Sequence, residues 1–303
     1  MAYTEVTLAE ASEVIKKAGF RNLLSIEKLK GGWANSNYKL ILEDQTKLVL
    51  KIWNEQSQDE VNYLLNITSF LVNSGIPTPK PIVFDNEDFL IMKDGLPWTI
   101  LPFVEGNWLG CDYDSLFSLG AIQAKIHLID PPNNLRSDFS MGGKLFEKLF
   151  LFADANNDWN DFLLELKSCK SLFLGLDRLP RGIIHGDLFP DNVIGYNNQA
   201  ISILDFEEVC NDILAFDLVM TFVGFGWENG EPVTDRWNAI LNGYQSIRKL
   251  SKEEISALPD LHKLATLCIA AWRYWQFKIN MPNTEHEDRY LEMTSRLNKV
   301  LPF

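Results

Sequence analysis

The chain has 303 residues, enough for one large domain or two lobes that bury about three quarters of their unfolded surface without disulfide or metal staples. Its 46% apolar and 23% charged residues suit a globular protein, and the net charge of −13 leaves no basic face for nucleic acid, so that partner is set aside. Cys111, Cys169, Cys210 and Cys268 stand far apart without a CxxC pair, which argues against a zinc site or disulfide framework and for a reducing compartment. The start, MAYTEVTLAEASEVI, lacks the basic-then-apolar order of a signal peptide. The longest apolar stretches, such as 264–272, fall short of a membrane span. A cytoplasmic protein with no membrane partner is expected.

Thr7-Leu8-Ala9-Glu10 is a capping-box pattern opening a short helix to about Lys17, ended by Gly19. Apolar runs at 23–29, 38–42 and 47–53, separated by Gly31-Gly32-Trp33-Ala34-Asn35-Ser36 and by Glu43-Asp44-Gln45, predict an antiparallel meander. Gly31-Gly32 suits a plain hairpin turn. It also lets backbone N–H groups approach a phosphate, although neither a G-x-G-x-x-G nor a Walker A spacing is present. Alternation in Leu48-Val49-Leu50-Lys51-Ile52-Trp53 sets Lys51 on one face with Val49 and Trp53. There it is either an edge gatekeeper or a cation for nucleotide phosphates. Ser57-Gln58-Asp59-Glu60 starts a helix to about Asn73, stopped by Gly75 and Pro77. Glu60 fits two roles, capping partner of Ser57 or ion-pair partner of Lys51, since 61–73 holds no other carboxylate.

Pro77-Thr78-Pro79-Lys80-Pro81 is an extended connector to strands at 82–84, 89–92 and 98–103. Phe103-Val104-Glu105-Gly106 then forms a candidate hinge whose backbone can read an adenine edge. From 112 the pattern turns helical, near 112–130, 143–155, 159–175, 212–224, 233–248, 252–279 and 285–299. The expected fold class is α+β, with a small antiparallel β lobe over 1–103 and a larger, mainly helical lobe over 104–303. His127 reads as a packed or capping histidine, and His262 and His286 as solvated helix residues. Trp272, Tyr274, Trp275 and Phe277 read as core or pocket wall. Arg273 among them, if buried, must meet a carboxylate from the protein or from a substrate.

The densest chemistry lies in 183–205, IIHGDLFPDNVIGYNNQAISILD. Apolar runs at 183–184 and 201–204 read as buried strands around a polar loop and a turn at Tyr196-Asn197-Asn198-Gln199. Asp187 and Asn192 stand at the D-x-x-x-x-N spacing of kinase catalytic loops, and Asp205 opens D-F-E where protein kinases have D-F-G. A loop rich in Asp, Asn, Gly and Pro is commonly just a turn. The conjunction of strand, H-G-D, asparagine five on, hairpin and D-F after a second strand points to more. One carboxylate can orient and deprotonate an attacking hydroxyl, while an amide oxygen and a second carboxylate can hold Mg²⁺ on the phosphates of a nucleotide.

The string LPRGIIHGDLFPDNV at 179–193 resembles the homoserine kinase (type II) branch of the aminoglycoside phosphotransferase and choline kinase superfamily. The similarity covers most of the chain. It includes the phosphate loop at 32–38, Gly75-Ile76-Pro77-Thr78-Pro79, the hinge at 103–106, the segment 212–217 and the late helices at 243–248 and 250–254. The resemblance implies a protein-kinase-like two-lobe fold, ATP with Mg²⁺ as donor, and a small-molecule hydroxyl as acceptor. Carried over by position, it implies Asp187 as catalytic base and His185 as brace of its loop. Asn192 and Asp205 become metal ligands, and Lys51 and Glu60 the phosphate lysine and its partner. Gly31, Gly32, Asn35, Ser36, Phe103 and Glu105 fall in the nucleotide-binding segments. Asp217 bonds backbone behind the loop, and Arg273 lies on the acceptor side. Two positions depart from the branch: Cys268 stands where an arginine is usual, and Val223 where an asparagine is usual. Homoserine is the leading acceptor, with an amino alcohol of the choline type or an aminoglycoside as alternatives. A nucleotide-binding pseudoenzyme is the reading from another class, and the presence of Lys51, Asp187, Asn192 and Asp205 disfavours it.

Overall fold

Thr7 caps α1 (Leu8–Lys17): its side chain takes the Glu10 N–H, and the Glu10 carboxylate takes the Thr7 N–H at 2.9 Å. This computed structural model describes residues 3–29, 35–137, 139–169, 172 and 176–303. After α1 come β1 (Leu23–Lys28), β2 (Ser36–Leu42), β3 (Lys47–Ile52), α2 (Gln58–Asn73), β4 (Ile91–Lys93) and β5 (Leu96–Pro102). The five strands form one antiparallel sheet in the order β1-β2-β3-β5-β4. In β2 Tyr38, Leu40 and Leu42 are buried, with Asn37, Lys39 and Ile41 only partly so. Leu48, Leu50 and Ile52 of β3 share that buried face with Ala11, Val14 and Ile15 of α1. Each large apolar side chain fully buried stabilises by about 1.5–3 kcal/mol, and a one-residue slip would turn Asn37 and Lys39 inward. Alternation therefore sets the register.

The strand expected at 82–84 is absent. Ile82 N–H reaches Ile100 O at 3.0 Å, but Pro77, Pro79 and Pro81 withhold the donors a ladder needs. The expected run at 89–92 starts later, at Ile91.

Further along come β6 (Asn107–Trp108), α3 (Tyr113–His127), α4 (Gly143–Asn156), α5 (Asp161–Ser168) and β7 (Arg181–Ile184). Then follow β8 (Val193–Tyr196), β9 (Gln199–Ile203), β10 (Cys210–Ile213), α6 (Leu214–Phe225), β11 (Trp227–Glu228) and β12 (Glu231–Pro232). The last are α7 (Thr234–Ile247), α8 (Lys252–Arg273) and α9 (Tyr290–Thr294). The chain divides into two compact units, Met1–Asn107 with Ile201–Leu204, and Trp108–Ala200 with Asp205–Phe303. The first holds the five-stranded sheet, and the second is mainly helical. Phe103 and Glu105, expected at the hinge, belong to the first unit.

In the second unit α6 is the central element. Its sequence LAFDLVMTFVGF is apolar on all sides, and every residue from Leu214 to Val223 is buried, as such a helix must be. β10 takes the place of the predicted start of a helix at 212 and pairs antiparallel with β7, Asp212 opposite Gly182. The long predicted helix 252–279 stops at Arg273, and Tyr274–Asn280 continue as a π-helical stretch. Of the predicted 285–299, only α9 is α-helical, and the predicted 159–175 ends at Ser168. His262 is not solvated: it is 2% exposed and stacks on Trp227, 5.7 Å between ring centroids. Among the described residues no helix is long and apolar enough to cross a membrane.

Candidate active site

β7 ends at Ile184 and delivers His185, Gly186 and Asp187 in turn. Gly186 sits at φ +81°, and a Cβ there would meet Phe139 Cε2 at 2.8 Å and Glu208 Cβ at 3.1 Å, so only glycine fits without strain. Pro190 opens a short 3-10 turn that ends at Asn192. This turn folds Asn192 back onto the start of the loop. Its Nδ2 donates to the Asp187 backbone carbonyl at 2.8 Å and to Asp187 Oδ2 at 3.1 Å. The amide thus ties the carboxylate to the turn. Asn197 and Asn198, both at positive φ, turn β8 into β9. Asp205 follows β9 at φ 60°, ψ 72°, a left-handed conformation that aspartate tolerates better than most residues.

The loop is pinned from behind by Asp217 of α6, the one acidic residue in that helix. A charge with no exposure must be fully paired. Asp217 accepts from the Gly186 N–H at 2.7 Å, the His185 N–H at 3.3 Å and Gln123 Nε2 at 2.8 Å, and pairs with His127 Nε2 at 3.0 Å. Tyr244 Oη lies 2.7 Å from His127 Nδ1. Burial pushes the Asp217 carboxyl up, but the His127 bond, the electrostatic influence of His127 and His185, and the Gln123 bond outweigh it and hold it below its ordinary value. Asp217 bonds backbone as its position implied, and His127 is a packed histidine with both ring nitrogens engaged. His185 is fully buried, tilted on Phe206 with centroids 4.6 Å apart, and its Nδ1 accepts the Asp187 N–H at 3.2 Å. That bond ties its ring to the Asp187 backbone.

Electrostatics single out Asp187. Burial raises its carboxyl well above the usual carboxylate range, and the charges of Asp205, Glu208 and Asp191 push the same way against the Asn192 bond. Glu208 is raised as well, by burial first, with Ser140 and Arg136 opposing. Three carboxylates, Asp205, Glu208 and Asp191, thus act on Asp187 in the direction that a nearby cation would reverse. Among the described residues no three His, Cys, Asp or Glu side chains form a complete metal cage. Glu208, which follows the D-F-E motif, was not foreseen, and neither were Gln123 and Tyr244.

Among the residues expected to bind nucleotide, Gly31 and Gly32 lie outside the described residues. Asn35 and Ser36 are buried. Asn35 Oδ1 accepts from the Asn54 N–H at 3.2 Å, and Ser36 Oγ accepts from the Thr4 N–H at 2.8 Å and Asn54 Nδ2 at 3.0 Å. Lys51 lies in an inner strand, between β2 and β5, which removes the edge-gatekeeper reading. It is 8% exposed, with Nζ 3.9 Å from the centre of the Trp53 ring. Glu60 forms its capping box, taking the Ser57 N–H at 2.8 Å. The Phe103 N–H extends the ladder to Lys47 O at 3.1 Å, and the Glu105 carboxylate pairs with Lys47 Nζ.

Arg273, expected on the acceptor side, donates through Nη1 to Glu292 Oε2 at 2.8 Å and to the Arg289 carbonyl at 3.1 Å. The carboxylate that a buried Arg273 requires is thus a protein one. Cys268 is 1% exposed and lines a cavity of about 360 Å³ with Arg181, Asp212, Lys144 and Phe216. Arg181 is held there by Asp212 at 2.9 Å.

A helical unit whose H-G-D loop, asparagine and following aspartate share one acidic centre, together with a separate five-stranded antiparallel unit, defines the kinase-like class of phosphotransferases. The chain belongs to the APH phosphotransferase enzyme family, matching it over residues 25–250, and is an ATP-dependent kinase that phosphorylates an alcohol. It is 30% identical over 292 residues to the homoserine kinase of Nitrobacter hamburgensis, covering 92% of this chain and 87% of that one. It is 28% identical over 278 residues to the homoserine kinase of Rhodopseudomonas palustris, covering 88% and 83%. Its fold matches the amicoumacin kinase solved with AMP-PNP, Ca²⁺ and its antibiotic (TM-score 0.71, 15% identity, 96% and 95% covered). A spectinomycin phosphotransferase solved with ADP and spectinomycin also shares the fold (TM-score 0.65, 17% identity, 97% and 94% covered).

Proposed function

We propose that this kinase phosphorylates homoserine, using MgATP as donor. The observation that carries the acceptor is the agreement of the curated relatives: homoserine kinases at 28–30% identity, over 88–92% of the chain. The loop supplies the residues for the chemistry. Asp187, oriented by Asn192, accepts the proton of the attacking hydroxyl. Asn192 Oδ1 and the Asp205 carboxylate are the hard oxygen donors that would hold Mg²⁺. The ion, when bound, neutralises charge on the transferring phosphoryl group. Asp217 and His185 keep the loop in place, so the acceptor meets a preset base rather than one that must reorganise. Lys51 is the candidate cation for the donor phosphates.

One observation favours an amino alcohol instead. Arg273, the candidate cation for an amino-acid carboxylate, already carries Glu292. An acceptor lacking a carboxylate would leave that pair undisturbed. ADP release measured across homoserine, choline, ethanolamine and an aminoglycoside decides between them. Homoserine should give the highest kcat/KM, and Arg273→Ala should raise its KM with the KM for ATP nearly unchanged. Equal or faster turnover of choline or ethanolamine overturns homoserine as acceptor. It leaves a kinase of small-molecule hydroxyls standing.

A further inference from the structure

Tyr244 and Arg248 lie one turn apart at the end of α7, where the Arg248 N–H caps the helix on the Tyr244 carbonyl at 3.0 Å. Arg248 Nη1 donates to Tyr244 Oη at 3.1 Å, and Nη2 pairs with Glu254 Oε1 at 2.9 Å. The Glu254 side chain is 1% exposed. Its other oxygen takes the Ser251 N–H at 2.9 Å in the capping box that opens α8. A polar path therefore runs from the start of α8 through Arg248, Tyr244 and His127 to Asp217 and the backbone of His185 and Gly186.

A guanidinium only donates, so the Tyr244 oxygen accepts from Arg248. Among the described residues, His127 Nδ1 is the other partner of that hydroxyl, at 2.7 Å. Tyr244 is fully buried, and burial pushes its phenol well up, so it keeps its proton. Were His127 Nδ1 protonated, two donors would face one oxygen and the buried hydroxyl hydrogen would go unbonded, which folded proteins rarely tolerate. Nδ1 therefore accepts, and the ring proton sits on Nε2, facing Asp217 Oδ2 at 3.0 Å. Oδ2 also takes Gln123 Nε2 and the His185 N–H. A bare Nε2 at that place would set lone pair against lone pair on the residue that holds the loop.

We propose that Arg248, held by Glu254, is a positioning residue for the catalytic loop. By filling the Tyr244 oxygen it directs the Tyr244 proton onto His127 and so fixes the His127 proton on Nε2, against Asp217. The start of α8 thereby sets the direction of the hydrogen bonds behind Asp187 without touching a substrate. The effect on turnover rests on the reading of Asp187 as the base, whereas the His127 tautomer does not.

Arg248→Met alone would strand the Glu254 carboxylate, so the test combines it with Glu254→Gln, which retains the capping box. Nitrogen NMR of histidine-labelled wild type should place the His127 proton on Nε2 alone. The combined variant should show a mixture of His127 tautomers. Relative to Glu254→Gln it should turn over about ten- to a hundredfold more slowly, with KM for ATP and the unfolding midpoint unchanged. Arg248→Lys, still an obligate donor, should restore the single tautomer and most of kcat. In a Tyr244→Phe, Glu254→Gln background, Arg248→Met should cost nothing further in kcat, since no hydroxyl is left to direct. A wild type with both His127 nitrogens protonated overturns the assignment, as does an unchanged tautomer in the combined variant. A changed tautomer with unchanged kcat overturns the link to the loop. So does a Tyr244→Phe background in which Arg248→Met still costs its full factor. Near-wild-type turnover in Asp187→Asn would count against the base instead, since the tautomer is read without turnover.

Discussion

At the scale of single residues, Asp187 and Asp217 divide the work. In the proposed mechanism one faces the chemistry and the other fixes where it happens. Asp187→Asn keeps the shape and the bonded geometry but removes the base, so kcat should fall about 10²–10⁴-fold with affinity for MgATP retained. Steady-state kinetics and calorimetry on the same preparation check this, and near-wild-type turnover would remove Asp187 from the mechanism. That Asp187 and Asn192 share one site was legible in the sequence because both lie on one short loop, whereas the bond between them was not read there. The anchor of Asp217 was legible only as a role, since Gln123, His127 and Tyr244 arrive from other helices, with His127 and Tyr244 117 residues apart. His262 was misread for the same reason, its aromatic neighbours being distant in sequence. Burial, with the nearby Arg296 charge, pushes its imidazole down to about 4. A histidine kept neutral in the fold stabilises it fully above its unfolded value of about 6.5, and loses that stability as pH falls toward 4. Urea unfolding should show a loss of about 3 kcal/mol over this window, absent in His262→Gln.

At the scale of elements, the antiparallel sheet was readable because period-two alternation in β2 and β3 is a local signal. The π-helical stretch after Arg273 and the strand β10 were not readable. Tyr274–Asn280 continue a helical pattern whose change of hydrogen bonding shows only in three dimensions. Cys210–Ile213 is too short for periodicity to tell strand from helix. The crossing of α3 and α7 was also hidden. A Cβ on Gly243 would lie 1.9 Å from the Phe117 carbonyl oxygen, and one on Gly120 2.1 Å from that of Ile240. Both obstacles are backbone, so neither can swing aside. The two helices also carry His127 and Tyr244, the far end of the Asp217 anchor. Gly243→Ala should therefore destabilise by about 1–3 kcal/mol or more, and kcat should fall with it as the loop loses its brace. Chemical denaturation and turnover test the pair; an unchanged unfolding midpoint would mean the helices separate without effect.

For the molecule as a whole, the question is how a chain of net charge −13 tolerates four of its acidic groups crowded at one loop. In the free protein the Asp187 carboxyl is held well above its ordinary value, chiefly by burial and by Asp205. A raised folded value means that the fold binds more protons than the unfolded chain, so stability falls as pH rises through that value. A divalent ion at Asn192 and Asp205 would cancel the Asp205 field, lower the Asp187 value and reduce that slope. The stabilisation given by Mg²⁺ with a non-hydrolysable ATP analogue should therefore grow with pH, with a larger increase in melting temperature at pH 8 than at pH 6. Asp205→Ala should show little increase at either pH, because it removes both the ligand and the repelling charge. Thermal melts of wild type and variant at the two pH values, with and without the ion, measure this directly. An increment in the wild type that is the same at both pH values would show that the acidic cluster and the ion are not linked, and the metal assignment of Asp205 would fall with it.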